Sequence, residues 1–175
     1  MLINLTDVFT SEGKVKKMSQ AFDISSVSYM GVSYPVVEKS DVSLTFTNIG
    51  TGRILLEGMM SLKLDMPCDR CLQSVEVPVS VSFAHEIAAP SEEKVQSEEE
   101  EEQCFMSGYE LDVDALMNNE ILINMPVKVL CKEECKGICP VCGKNQNEGE
   151  CGCDTFVPDP RMAAIKDIFN ANKEV

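Results

Sequence analysis

Apolar and polar residues alternate along three consecutive stretches in the first half of the chain. These stretches cover residues 42–47, 53–66 and 75–83, and in the second the alternation is clear over residues 61–66. A period of two residues is typical of a strand with one buried face. The polar and glycine-containing residues 48–52 predict the turn between the first two strands. Together the three stretches predict an antiparallel, β-rich body.

The alternation of apolar and polar residues is weaker before residue 40. After residue 40, Gly58 and Pro78 indicate local irregularities in the predicted strands. A candidate element covers Leu2–Phe9, and a mixed run extends over Val27–Val37. Gly58 interrupts the second alternating stretch and predicts a β-bulge, because a glycine inside a strand often marks one. Pro78 lacks a backbone N–H, so it predicts that the third strand lies at a sheet edge or is irregular.

Helical spacing occurs in two places in the second half of the chain. Apolar residues recur at this spacing in residues 111–121, and Asp112 can cap the helix. Near the end, Asp159 and Pro160 provide an N-cap and a first-turn proline ahead of residues 164–169, which have one apolar face. We therefore predict two short helices, of which the second needs a partner surface to be stable.

The chain is acidic, with 15 Lys and Arg against 29 Asp and Glu and a net charge of −14. This charge repels RNA at long range and attracts a basic partner. Seven of the acids lie in residues 91–103, whose low apolar content predicts a flexible, solvated loop. We find no signal-peptide pattern and no stretch near the roughly 18 apolar residues of a membrane helix. We therefore expect a cytoplasmic protein without membrane contact.

Nine cysteines are the strongest chemical feature of the sequence, and six of them lie within residues 131–153. Paired cysteines in a reducing compartment are typical of metal ligands. Zinc is held by four thiolates at about 2.3 Å, and a CxxC turn followed by glycine brings two of them to one ion. Eight cysteines make two sites of four, with Cys104 left as a free thiol. The predicted metal ligands are Cys68, Cys71, Cys131, Cys135, Cys139, Cys142, Cys151 and Cys153.

The number of ions and their identity stay open at this point. The run Cys139-Pro-Val-Cys142-Gly, completed by Cys151 and Cys153, has the form of one zinc site. A single mixed site that combines Cys68 and Cys71 with two of the later cysteines is an alternative to two sites. Iron would use the same donors as zinc. We expect one or two Zn²⁺ ions, with iron as the alternative.

Catalytic chemistry finds less support in the sequence. A redox-active CxxC has its nucleophilic cysteine at a helix N-terminus, whereas Cys68 and Cys71 lie between two predicted strands. A thiol–disulfide oxidoreductase, with a low-pKa thiol at one of these two residues, is therefore a minor hypothesis. The only histidine, His85, follows the third strand and is interpreted as structural. The sequence has no zinc-protease motif and no phosphate-binding or dinucleotide-binding glycine motif, so we expect no enzymatic activity.

The expected architecture is an α+β fold with three regions in one integrated domain. Residues 1–90 form an N-terminal β-rich region, and residues 91–108 form an acidic flexible loop. Residues 109–175 contain a helix, a small cysteine-rich zinc module and a C-terminal helix. The fold class is thus an antiparallel β-rich body with few short helices and a metal module near the C-terminus.

Four motifs together resemble one known family. They are Cys-Asp-Arg-Cys-Leu at 68–72, the cysteine-rich run at 130–145, Cys-Gly-Cys at 151–153 and Asp-Pro-Arg-Met-Ala-Ala-Ile at 159–165. In these motifs the chain resembles the YceD-like family, bacterial and plastid proteins named for large ribosomal RNA subunit accumulation. The resemblance implies a ribosome-assembly factor that supports accumulation of large-subunit (23S) ribosomal RNA. It also implies a basic ribosomal protein or a large-subunit assembly intermediate as partner, which agrees with the acidic charge.

Direct RNA binding by the cysteine-rich module is the alternative function. Lys128, Lys132, Lys136 and Lys144 could line one face, although four glutamates in the same segment balance their charge. Arg161 belongs to the family-like Asp-Pro-Arg motif and is a candidate for partner binding. The candidate partner-binding residues are Arg161, Lys136 and Lys144, and we expect any RNA contact to be indirect.

Overall fold

The computed structural model describes residues 1–90 and 105–153, which form nine strands and two helices. The chain divides into two units, which we call the sheet unit (Met1–Met66 and Ser74–Val129) and the cysteine unit (Pro67–Gln73 and the segment from Leu130 onwards). The elements in chain order are β1 (Leu2–Asn4), α1 (Thr6–Phe9), β2 (Val15–Gln20), β3 (Ser26–Tyr29), β4 (Val32–Lys39), β5 (Val42–Gly50), β6 (Arg53–Pro67), β7 (Ser74–Ala88), β8 (Met106–Ser107), β9 (Glu110–Asp112) and α2 (Val113–Ile123).

Six strands of the sheet unit form one sheet in the order β2-β5-β6-β4-β3, with β7 also paired to β6. The strand β6 has several partners because it is 15 residues long. Its first half pairs with β5 and its second half with β4, and both pairs are antiparallel. The pairs β2–β5 and β3–β4 are antiparallel as well. The predicted β-rich, largely antiparallel body is therefore confirmed.

The three alternating stretches form β5, β6 and β7 because their apolar residues share one buried face. In β5, Val42, Leu44 and Phe46 are buried, and the polar residues between them are exposed or half-buried. Pro78 lies in β7, which among the described strands pairs with β6. Such a position at the side of a sheet tolerates a residue without a backbone donor.

A second, smaller sheet leads into the longer helix. It has the order β1-β9-β8, with antiparallel pairs. The helix α2 begins after Asp112, whose Oδ1 accepts hydrogen bonds from the backbone N–H groups of Asp114 and Ala115 at 3.0 and 3.3 Å. The predicted N-cap and helix are therefore confirmed. Neither described helix is long and apolar enough to cross a bilayer.

The hydrophobic core of the sheet unit joins both sheets to α2. It takes residues from the α1 region, from β5 and β6, from β7 and from the buried side of α2. Burial of such side chains contributes about 1.5–3 kcal/mol each. The largest fully buried side chains are Phe46, Leu5, Ile54, Leu56, Leu64, Ile87, Leu111, Leu116, Met117, Ile121, Val8 and Val81.

The β5–β6 ladder corrects two local predictions. Gly58 pairs in register with Leu44, so in this ladder the predicted bulge is wrong, and the register shift lies between Asn48 and Gly50. A Cβ at residue 58 would lie 2.2 Å from Cζ of Phe83, so glycine is required there for close packing. The strand β5 also continues to Gly50, which makes the turn shorter than predicted.

The first forty residues contain more strand than their pattern predicts. The candidate element Leu2–Phe9 is a short strand followed by one helical turn, and β2, β3 and β4 follow it. Residues 91–104 of the acidic loop predicted at 91–108, which include Cys104, lie outside the described residues, and so do Arg161 and the predicted C-terminal helix. At the end of that segment Phe105 is buried and Met106–Ser107 form β8, so these residues are not the predicted flexible loop.

Candidate metal centre

The first group of cysteines in the cysteine unit combines a tight turn with two later residues. Cys68 and Cys71 lie in the turn after β6, where the Leu72 N–H donates to the Cys68 carbonyl at 2.9 Å. The Sγ atoms of these two residues and of Cys131 and Cys135 all lie within 4.8 Å of one another. We call these four residues the first cluster.

The second group repeats the same turn. The Gly143 N–H donates to the Cys139 carbonyl at 2.9 Å, which matches the bond between Leu72 and Cys68. Gly143 has a φ of 72° and Leu72 a φ of 61°, so both turns end in the left-handed conformation. Glycine adopts this conformation readily, whereas leucine is strained in it. The second cluster consists of Cys139, Cys142, Cys151 and Cys153, whose Sγ atoms also lie within 4.8 Å of one another.

The distances in the first cluster fit tetrahedral coordination. Four sulfurs bound to zinc at about 2.3 Å are about 3.8 Å apart. The Sγ atoms of Cys68 and Cys135 are 3.8 Å apart, and those of Cys71 and Cys131 are 3.5 Å apart. All eight clustered cysteines are free of disulfides. Each cluster can therefore hold one metal ion, and the donor set suits zinc or iron.

Hydrogen bonds from backbone N–H groups favour the thiolate form of one cysteine in the first cluster. Burial acts to raise the pKa of the Cys68 thiol, but hydrogen bonds from the N–H groups of Arg70, Cys71 and Cys131 outweigh it and lower the pKa to about 6. Burial and the neighbouring thiol groups raise the pKa of Cys131 to about 12. A bound divalent cation would relieve this repulsion between thiolates, because metal binding favours the deprotonated form.

The second cluster has the same electrostatic pattern. Hydrogen bonds from the backbone N–H groups of Cys142 and Val141 lower the pKa of Cys139 to about 6. The neighbouring Cys142 and Cys151, together with burial, raise the pKa of Cys153 to about 12. Each cluster thus combines one readily ionised thiol with one that ionises only against strong repulsion, a combination that a cation stabilises.

Residues that support the first cluster are not apparent from cysteine spacing. Asn147 Nδ2 donates to Cys135 Sγ at 3.3 Å, and this hydrogen bond is the main cause of the lowered pKa of Cys135. A guanidinium N–H of Arg70 donates to the Cys135 carbonyl at 2.8 Å. The sequence signal near these contacts is Gly137, because a glycine close to a ligand often marks a special backbone conformation. In the structure Gly137 has a φ of 80°.

The structure places the other candidate residues on the surface or away from the clusters. Lys136 and Lys144 are exposed, and Lys144 Nζ donates to the Glu150 carbonyl at 3.5 Å. His85 lies in the sheet unit, where its Nε2 is 2.7 Å from Oε1 of the buried Glu120. His85 therefore has a specific hydrogen-bond partner in α2, which agrees with its interpretation as a structural residue.

The first CxxC turn lacks the setting of a redox site among the described residues. Residues 67–73 and 130–153 contain no helix whose N-terminus could stabilise a nucleophilic thiolate. Cys68 is fully buried, so its low pKa does not come with solvent access. Its hydrogen bonds favour the thiolate, which is the form in which cysteine binds a metal ion.

Fold and site together define a β-rich protein with a separate module built around two four-cysteine clusters. The family model described as "Large ribosomal RNA subunit accumulation protein YceD" matches residues 56–169. The chain therefore belongs to the YceD family. The match includes all eight clustered cysteines.

Curated relatives extend the similarity beyond the family match. The chain is 25% identical over 134 residues to uncharacterized proteins of Mycobacterium bovis and Mycobacterium tuberculosis. The alignment covers 77% of this chain and 64% of the length of those relatives. No solved structure matches the chain.

Proposed function

We propose that this protein is a non-enzymatic, cytoplasmic ribosome-assembly factor that supports accumulation of large-subunit ribosomal RNA. Membership of the YceD family is the observation that carries the proposal. The eight clustered cysteines would bind two Zn²⁺ ions in structural sites, because each site would use all four positions for thiolates and leave none open for catalysis. Arg161, Lys136 and Lys144 stay candidates for partner binding.

The charge of the cysteine unit favours a basic protein as the partner over RNA. Among its described residues, four Lys and Arg stand against five Asp and Glu, which leaves −1. Each four-thiolate zinc site adds −2, because four negative thiolates surround one Zn²⁺. The loaded module is therefore anionic, and the whole chain carries −14. A basic ribosomal protein or an assembly intermediate that presents one fits this charge.

Deletion of the gene tests the assembly role. We expect lower amounts of large-subunit RNA and large-subunit particles, with small-subunit RNA as the internal control. Complementation with the wild-type gene should restore both. Unchanged large-subunit RNA and particles in the deletion strain would contradict the proposal.

Affinity capture of the full chain tests the partner class. We expect a basic large-subunit ribosomal protein to bind after nuclease treatment, with an affinity that falls as salt rises. Binding that disappears on nuclease treatment, and that charge reversal of Lys136 and Lys144 weakens, would favour direct RNA binding instead.

A further inference from the structure

The two clusters are close neighbours along the chain and share a connecting peptide. Only residues 136–138 separate Cys135 of the first cluster from Cys139 of the second. Residues 143–150 form the loop between Cys142 and Cys151, which both belong to the second cluster. A change in one cluster can therefore reach the other through a few residues.

Asn147 reaches from the loop of the second cluster to a sulfur of the first. Its Nδ2 donates to Cys135 Sγ at 3.3 Å, and its Oδ1 accepts from the Lys136 N–H at 3.0 Å. Asn145 Oδ1 accepts from both the N–H and the Nδ2 of Asn147, at 3.0 and 2.9 Å. The side chain is thus held in position by the loop that the second cluster closes.

A second connection runs through the first CxxC turn. The Arg70 carbonyl accepts from the Ile138 N–H at 3.0 Å, and the Arg70 guanidinium donates to the Cys135 carbonyl at 2.8 Å. A Cβ on Gly137 would lie 3.0 Å from the Arg70 carbonyl oxygen, so a side chain there would disturb this contact. Ile138 also forms an antiparallel bridge with Asn145, in the loop that carries Asn147.

We propose that the two metal sites load cooperatively and that Asn147 is the positioning residue that couples them. This inference rests on the proposed binding of metal by both clusters. Metal in the second cluster fixes both ends of the 143–150 loop, which removes much of the entropy lost when Asn147 donates to Cys135. Loading of either site then raises the affinity of the other by the same factor, in the range of about 5–150-fold that is typical of coupled sites.

Native mass spectrometry of the reduced full chain during a Zn²⁺ titration tests the coupling. At half saturation, independent equal sites leave about half of the chains with one ion, and unequal sites leave more. Between equal sites, coupling of about 5–150-fold lowers this one-ion fraction to less than about a third. Because unequal affinities raise the fraction again, the variants Cys68→Ser/Cys71→Ser and Cys151→Ser/Cys153→Ser provide the affinity of each remaining cluster alone. We expect the wild-type overall constant for two ions to exceed the product of these two affinities by about 5–150-fold. An overall constant equal to that product, with two ions bound at excess, would overturn the coupling but leave metal binding intact. A chain that binds no metal would overturn both proposals.

The variant Asn147→Ala tests the role of this side chain, with Glu148→Ala as the matched control on the exposed neighbouring residue. We expect Asn147→Ala to bind two ions at excess but to raise the one-ion fraction to about half or more, as for independent sites. With Co²⁺ as the probe, its thiolate-to-metal charge-transfer band should shift to lower energy, because Cys135 loses a hydrogen bond. Glu148→Ala should match the wild type in both measurements. An unchanged one-ion fraction and an unchanged band in Asn147→Ala would refute the role of Asn147.

Discussion

Different kinds of interaction stabilise the sheet unit and the cysteine unit internally. The sheet unit buries a continuous set of aliphatic and aromatic side chains from both of its sheets and from α2. In the described part of the cysteine unit, the buried apolar side chains are those of four cysteines. Of its larger apolar side chains, Leu72, Ile138 and Val141 are 65%, 38% and 58% exposed, and Leu130 is partly buried.

The difference shows what each unit needs in order to fold. Apolar burial can stabilise the sheet unit, because it removes many large side chains from water. A short segment without an apolar core cannot offset its conformational entropy in this way and depends on a metal or a disulfide. We therefore expect the two units to respond differently to metal removal and to core substitutions.

Metal removal should have the largest effect and should be confined to the cysteine unit. Structural zinc in thiolate-rich sites contributes about 10–16 kcal/mol of apparent binding free energy. After chelation, hydrogen exchange should show unprotected amides at Leu72, Ile138 and Gly143, whereas the amides of β5 and β6 stay protected. Added Zn²⁺ should restore protection. If chelation leaves the protection of the cysteine-unit amides unchanged, this would argue against a structural metal.

The substitution Phe46→Ala should have the opposite pattern. Phe46 is fully buried in β5, so its truncation should lower the free energy of unfolding of the sheet unit by about 3–5 kcal/mol. Urea unfolding measures this loss, and metal content per chain should not change. Val32→Ala is the control, because Val32 is 50% exposed and should cost less than about 0.5 kcal/mol. Loss of metal in Phe46→Ala would show that the two units are not independent.

The substitution Gly58→Ala should destabilise the sheet unit by overpacking. The new methyl group would meet the Phe83 ring, which should cost about 1–3 kcal/mol in urea unfolding. The double variant Gly58→Ala/Phe83→Leu should recover part of this loss, because the smaller side chain leaves room for the methyl group. A strictly additive double variant would mean that the two residues do not interact.

The substitution Asp112→Ala should have the smallest effect. It removes the oxygen that accepts from the first amides of α2, which should cost about 0.5–2 kcal/mol in urea unfolding. Asp112→Asn is the matched control, since asparagine can still accept these hydrogen bonds. A loss as large for Asn as for Ala would point to the ion pair between Asp112 and the Met1 amine instead.

Regular patterns in the sequence predicted the parts of the fold in which local and tertiary preferences agree. The strands β5, β6 and β7 and the helix α2 followed from residue periodicity, because one face of each is buried. Before residue 40 the sequence indicated only a candidate element and a mixed run, since strands with mostly exposed residues lack a clear pattern of buried positions. Gly58 was misinterpreted because the ring that requires it comes from β7, which is distant in sequence.

The sequence by itself determined the candidate chemistry, because thiol spacing restricts what eight cysteines can do. It also determined the acidic charge and, through its motifs, the family. The tertiary structure decided the grouping, since cysteines some sixty residues apart, such as Cys71 and Cys131, meet only when the chain folds. It also decided the contact of Asn147 with Cys135, because a hydrogen bond depends on distance and direction that no sequence pattern records.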